Sequence, residues 1–355
     1  MANLDTIQLP EKSGRLIFVQ YLRGCAAMMV VFHHALHHRP GIYNPLQRDI
    51  DLGRPGVLIF FVISGFIMMH ACRSEPPLIF IRRRIIRVVP LYWLMTFAFF
   101  AIIFPNDFAA GNPTRRLDEL IQSLLFIPHW HSGKPTEIWP ILVPGWTLSY
   151  EMFFFGIFAI AITSGRPAHS AIFLLSMLLI AGWIFDFQNP IWLTWTNNFL
   201  MLFIAGITLA LVWKKTDFSA FAWILPTGAL LILAAAIKLP PEEWIVPLYF
   251  VSAVMIVAGV LACQDRFPAF NVPVLAIIGN ASYSIYLSHT ITMVPLYKVL
   301  RALPLHGWLQ FIVVFALSIT ISTLIGIAIY KLIERPMIQS LCRVFDKSSS
   351  PKQGV

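Results

Sequence analysis

The stretch LIFVQYLRGCAAMMVVFHHAL, residues 16–36, decides how the rest of the chain is read. Its length and apolar content suit a helix that crosses a bilayer, which takes about 20 such residues. Yet it holds Arg23 near one end and His33 and His34 near the other. A charge at the centre of a membrane helix costs about 2.5–3.5 kcal/mol on insertion scales, so it marks a functional position by default. At about 100° per residue, the path from Arg23 to His34 is close to three full turns, which sets both on one face about 16 Å apart. His33 is rotated about 80° from Arg23 and faces other neighbours, so it reads as a structural group bonded to a neighbouring helix or headgroup. A cation near one leaflet and an imidazole near the other suggest chemistry conducted across a membrane.

Composition extends that reading. The 355 residues are 58% hydrophobic and 12% charged, roughly half the charged share of an ordinary soluble domain. The net charge of +9 would raise nucleic acid as a partner in a soluble protein. Here membrane lipid is the better partner, because basic loops face the cytoplasm and meet anionic headgroups. Cys25, Cys72, Cys263 and Cys342 form no C-x-x-C pair, so no metal or redox site is expected.

Apolar spans recur near residues 16–36, 55–72, 88–105, 146–164, 169–185, 197–213, 220–238, 245–263, 274–298 and 308–331. The expected fold is all-α: a polytopic membrane bundle of about ten transmembrane helices, one integral-membrane domain over 1–355. Only the 105–145 connector is long, and its LDELIQSLLFI run is amphipathic enough to lie along the interface. The tail after about residue 341 reads as disordered. The cluster Arg82, Arg83, Arg84 and Arg87 places its segment inside, which makes both termini cytoplasmic in a multi-pass protein.

Under that orientation Arg23 lies toward the cytoplasm and His34 toward the outside. The fourth span opens WTLSYEMFFFGIF, residues 146–158, and Glu151 in it is expected near the outer leaflet, at a depth comparable to His34. An imidazole and a carboxylate at one depth suit a general acid/base pair. In FIRRRIIRVVPLYW, residues 80–93, Arg83 and Arg87 share a helical face and Arg84 nearly joins them. Such a fork suits phosphates, although an arginine run is more often a plain topology anchor. Pro90 is expected to mark entry into the third helix. His289, in SYSIYLSH, is more often a satisfied structural group than a catalyst, and its role stays open. There is no G-x-S-x-G, P-loop, G-x-G-x-x-G or H-E-x-x-H motif, and no histidine stands five residues before an aspartate.

Taken together, the motifs resemble the acyltransferase-3 family of integral-membrane acyltransferases. They run in the family's order: YLRGCAAMMVVFHH with ten residues between Arg23 and His34, GVLIFFVISGFIM (56–68), FIRRRIIRVVPLYW, WTLSYEMFFF, GNASYSIYLSH (279–289) and IERP (333–336). The branch that modifies exopolysaccharide or O-antigen is the most similar. What the resemblance implies is a bacterial inner-membrane O-acetyltransferase that takes acetyl from cytoplasmic acetyl-CoA. The acceptor is a hydroxyl on a glycan or a lipid-linked oligosaccharide. His34, Glu151 and Arg23 then serve catalysis, while Arg23, Arg83, Arg84 and Arg87 hold the acyl-CoA. A second copy of the chain or polysaccharide-assembly proteins fit as further partners. One departure is visible: members often carry an acid after Gly-Val in the second helix, where this chain has Leu58, leaving Asp49 or Asp51 for any such role. The alternative class is a transporter of a glycan lipid or small anion, against which stand the motif set and the lack of a sequence repeat.

Overall fold

Inside a bilayer no water satisfies the backbone, so long apolar segments fold as helices. The computed structural model describes residues 16–37, 43–45, 50–71, 75–109, 113–267 and 270–349. In chain order the helices are α1 (Ile17–His37), α2 (Gly53–Ala71), α3 (Pro77–Ala109), α4 (Pro113–Leu124), α5 (Trp146–Thr163), α6 (Pro167–Ile184) and α7 (Pro190–Trp195). They continue with α8 (Leu200–Trp213), α9 (Ile224–Ala236), α10 (Glu242–Arg266), α11 (Pro273–Asn280), α12 (Ser282–Leu300), α13 (Gly307–Ile329) and α14 (Arg335–Ser349). Among the described residues there is no strand, only a lone bridge between His131 and Lys134.

Eight segments are long and apolar enough to cross a membrane, so the chain is a multi-pass membrane protein. The expected first and ninth spans fall outside that set. α1 forms as foreseen, but Arg23, His33 and His34 dilute its apolarity. The ninth breaks at Ala281 into α11 and α12. Of the two helices that fall short, α12 buries Ser282, Ser284, Ser288 and His289, and α1 carries Arg23 to an internal cavity. α2 is the hub among the spans: 72% of it is buried, against 22% for α6.

Small residues let the backbones close up. A Cβ on Gly65 of α2 would lie 2.3 Å from the Phe203 carbonyl of α8, and one on Gly206 of α8 would lie 2.1 Å from the Val62 carbonyl. Without a hydrophobic drive between helices in lipid, such close approach is what holds two of them together. Phe61, Phe154 and Phe203 fill the space beside this crossing, with Phe154 stacked on Phe203 at 4.3 Å between centroids.

Two segment boundaries differ from expectation. α3 begins at Pro77 and runs through Pro90, so the arginine cluster sits on the helix rather than before it. The tail expected to lose order after about 341 continues as α14 to Ser349, and Arg82 lies over the Phe345 ring at 5.4 Å. Residues 350–355 lie outside the described residues. The amphipathic run of the long connector forms α4, which buries Leu120 and Ser123 while leaving Leu117 and Ile121 exposed. The Tyr92 hydroxyl and the Trp93 indole of α3 donate to the Ser123 and Leu124 carbonyls, 3.0 and 2.8 Å away.

Candidate active site

α1 carries Arg23 into a cavity between α2, α3, α5 and α12. Its lining includes Ser64, Arg84, Arg87, Glu151, Tyr283 and Tyr286, and it encloses about 840 Å³ with its open mouth. The helix period explains the selection on α3: Arg84 and Arg87, three apart, share the inward face. Arg83 is exposed and pairs with Glu75 instead. The expected fork of Arg83 and Arg87 is therefore replaced by Arg84 and Arg87.

Glu151 comes to this cavity from α5, where its Oε1 accepts a hydrogen bond from Ser64 Oγ at 2.8 Å. The same cavity is lined by Arg23 and not by His34. The expected companionship of Glu151 with His34 thus gives way to one with Arg23. A second acid adds to the charge there. Glu334 is buried, accepts a hydrogen bond from Ser284 Oγ, and shares its electrostatic neighbourhood with Arg23 and Arg87. It sits in a π-helical turn, Tyr330–Glu334, between α13 and α14. Such turns recur at functional sites because the extra residue re-aims a side chain. Sequence reading closed the last span at 331 and so left Glu334 outside the membrane helices, although the IERP motif contained it.

Farther along α1 lies His34. Its Nδ1 is 3.0 Å from the Val30 carbonyl, which can only accept, so Nδ1 holds the proton and the neutral ring keeps its lone pair on Nε2. The ring packs edge-on against His289 of α12, with centroids 4.8 Å apart. His289 is fully buried, and its own Nδ1 donates to the Tyr286 carbonyl at 2.6 Å. Ser282, Tyr286 and His289 repeat at four and three residues, so one face of α12 runs from the arginine-lined cavity to His34. Sequence reading missed this role for His289, since nothing local distinguishes a packed histidine from one facing a second imidazole.

His33 takes a different direction, as its phase requires. Its Nδ1 is 3.4 Å from Asp51 Oδ1, and its ring is 4.4 Å from that of His37. Asp51 caps α2, accepting from the Arg54 amide at 3.0 Å. Asp49 lies outside the described residues, whereas Leu58 is completely buried in the core.

Comparison with known proteins bears on this arrangement. The acyltransferase-3 family profile, described as "Acyltransferase domain", matches residues 16–327. The chain is similar to "Exopolysaccharide production protein ExoZ" of Rhizobium meliloti, 36% identical over 302 residues, covering 81% of this chain and 90% of the relative. It is also similar to "Acyltransferase MdmB" of Streptomyces mycarofaciens, 25% identical over 320 residues, 79% of this chain and 80% of that one. "Protein 2 in picA locus" of Rhizobium radiobacter is 27% identical over 163 residues, covering 41% of this chain and 81% of that protein. No solved structure matches.

Proposed function

This chain belongs to the acyltransferase-3 family, and on that premise we propose that it carries acetyl from cytoplasmic acetyl-CoA to a hydroxyl of an exported or surface polysaccharide or its lipid-linked precursor. The setting is a bacterial inner membrane, with both chain ends cytoplasmic. The observation that carries the reading is the division of labour along α1: a guanidinium-lined cavity around Arg23 at one level, and the His34–His289 pair at another. The relative named for exopolysaccharide production supports a glycan acceptor, and the one named as an acyltransferase supports acyl transfer itself.

Arg84 and Arg87, with Arg23 deeper in, suit the phosphates of a coenzyme A thioester, since guanidinium groups bind phosphate through paired hydrogen bonds. Glu151 and Glu334 hold the arginine array and keep its net charge from disrupting the bundle. The pantetheine arm then follows the α12 face past Tyr286 to His34. There the His34 Nε2 removes the proton of the glycan hydroxyl, the oxygen attacks the thioester carbonyl, the C–S bond breaks, and the coenzyme A thiolate leaves and is protonated. In a two-step route the same Nε2 would carry the acetyl group first. His289, packed on His34, fixes the ring's orientation.

The test is to quantify ester-linked acetyl on the polysaccharide of cells with and without this protein. Loss of acetyl with normal export supports transfer. Unchanged acetyl with altered export contradicts it and favours the transporter class.

A further inference from the structure

A second cleft opens between the start of α2, the end of α9 and the start of α10. It encloses about 670 Å³ with its open mouth and is lined by Asp51, Arg54, Lys238, Glu242 and Tyr249, among others. We propose that this cleft is the acceptor site and that it holds a pyranose unit of the glycan through its hydroxyl groups. The proposal rests on the transfer reading above, and it supplies what that reading lacks, a place for the second substrate.

Several observations converge on it. Both signs of charge line the cleft: Asp51 and Glu242 accept hydrogen bonds, while Arg54 and Lys238 donate them. A polyol, which donates and accepts at every hydroxyl, matches that mixture better than an anion or an apolar molecule would. Among the described residues, neither the Lys238 nor the Glu242 side chain makes an ion pair or hydrogen bond within the protein, so both remain available to a ligand. The Lys238 backbone is left-handed, at φ +55°, a conformation that residues with a side chain rarely adopt. It closes α9, with the Leu239 amide donating to the Ala234 carbonyl at 3.0 Å, and so turns the chain into the cleft wall.

The cleft is also wired to the catalytic helix. Asp51 is joined to two of its walls: the Tyr249 hydroxyl of α10 donates to its carbonyl at 2.9 Å, and Arg54 Nε of α2 lies 3.7 Å from its Oδ2. Its Oδ1 is 3.4 Å from His33, whose ring is 5.2 Å from that of His34. A role as the α2 cap accounts for the Arg54 amide contact alone, not for the tyrosine or the histidine. The acceptor cleft therefore meets α1 at its histidine end, away from the arginine-lined cavity, which is the arrangement that transfer between two compartments requires.

The test uses the full chain in proteoliposomes, acetyl-CoA, and a de-esterified oligosaccharide prepared from the producing cell's exopolysaccharide. In the Lys238→Gln/Glu242→Gln variant the acceptor KM should rise about tenfold, the loss expected for charge-assisted hydrogen bonds worth about one decade together, with the KM for acetyl-CoA unmoved. Both positions are exposed, so the variant should unfold at the wild-type temperature. An acceptor KM within about twofold of wild type, with transfer intact, overturns the cleft as the acceptor site. Saturation-transfer NMR with the same oligosaccharide separates this from the transfer reading. If wild-type protein binds it without acetylating it, the transfer reading fails, and loss of the signal in the variant still supports the cleft. Retained signal in the variant, or no binding by wild type, overturns the cleft as well.

Discussion

His34 has two marks of a base: a proton held on Nδ1 by the Val30 carbonyl and a second imidazole packed at 4.8 Å. His34→Gln keeps polarity but has no base at neutral pH, so transfer should fall by at least about 100-fold, the usual worth of general base catalysis, with acetyl-CoA affinity retained. His33→Gln should keep most activity: its ring lies 5.2 Å from that of His34, but its Nδ1 faces Asp51 and takes no part in the proton transfer. Equal loss in both would remove the helical-face argument. On α3, Arg84→Gln and Arg87→Gln should each weaken acetyl-CoA binding about tenfold, whereas Arg83→Gln should leave the dissociation constant close to wild type. Titration calorimetry in detergent reads this directly. Much of the site was legible one residue at a time, because a charge in an apolar helix stands out: Arg23, Glu151 and His34 all announce themselves. Their partnerships were not. Arg83 looked equivalent to Arg84 until the helix was fixed in rotation, and Glu334 lay just beyond a span drawn by hydropathy alone.

At the scale of the element, the apolar runs located the long membrane helices, but not α7 or α14, and not where several begin or break. α3 starts at Pro77, ahead of its arginines, since proline suits a helix's first turn and four arginines do not oppose helix formation. The break at Ala281 has no proline or glycine at the step itself to signal it; it accompanies the close crossing of α1 and α11, where a Cβ on Gly279 would lie 2.3 Å from the Gln20 carbonyl. The α2–α8 crossing gives the sharpest stability test. Gly206→Ala should lower stability by about 1–3 kcal/mol, since the new methyl meets backbone rather than a yielding side chain. Gly156→Ala on α5, where nothing lies within 4 Å, should be neutral or stabilising by up to about 1 kcal/mol. Thermal unfolding in one detergent compares the two; equal melting temperatures would contradict the packing account.

Across the whole molecule, two adjacent helices, α1 and α12, connect an arginine-lined cavity to a histidine pair. Sequence carried the membrane class and the family, because both are written in composition and in motifs spread over most of the chain. It could not carry the convergence of α1, α2, α3, α5 and α12 on one cavity, which depends on packing between residues far apart in sequence. The orientation that gives the site its meaning is open to direct labelling: a cysteine at Lys238 should react from the outside of the cell and one at Arg83 only after permeabilisation, and the reverse pattern would invert donor and acceptor sides. The most direct measurement of the central claim is a sided transfer assay. The purified protein is reconstituted in sealed vesicles with acetyl-CoA on the side of Arg83 and the de-esterified oligosaccharide on the other. Acetyl ester on the enclosed oligosaccharide, lost in His34→Gln, is the expected result. Acetylation only when both substrates share one compartment, or undiminished in His34→Gln, would contradict transfer along α1.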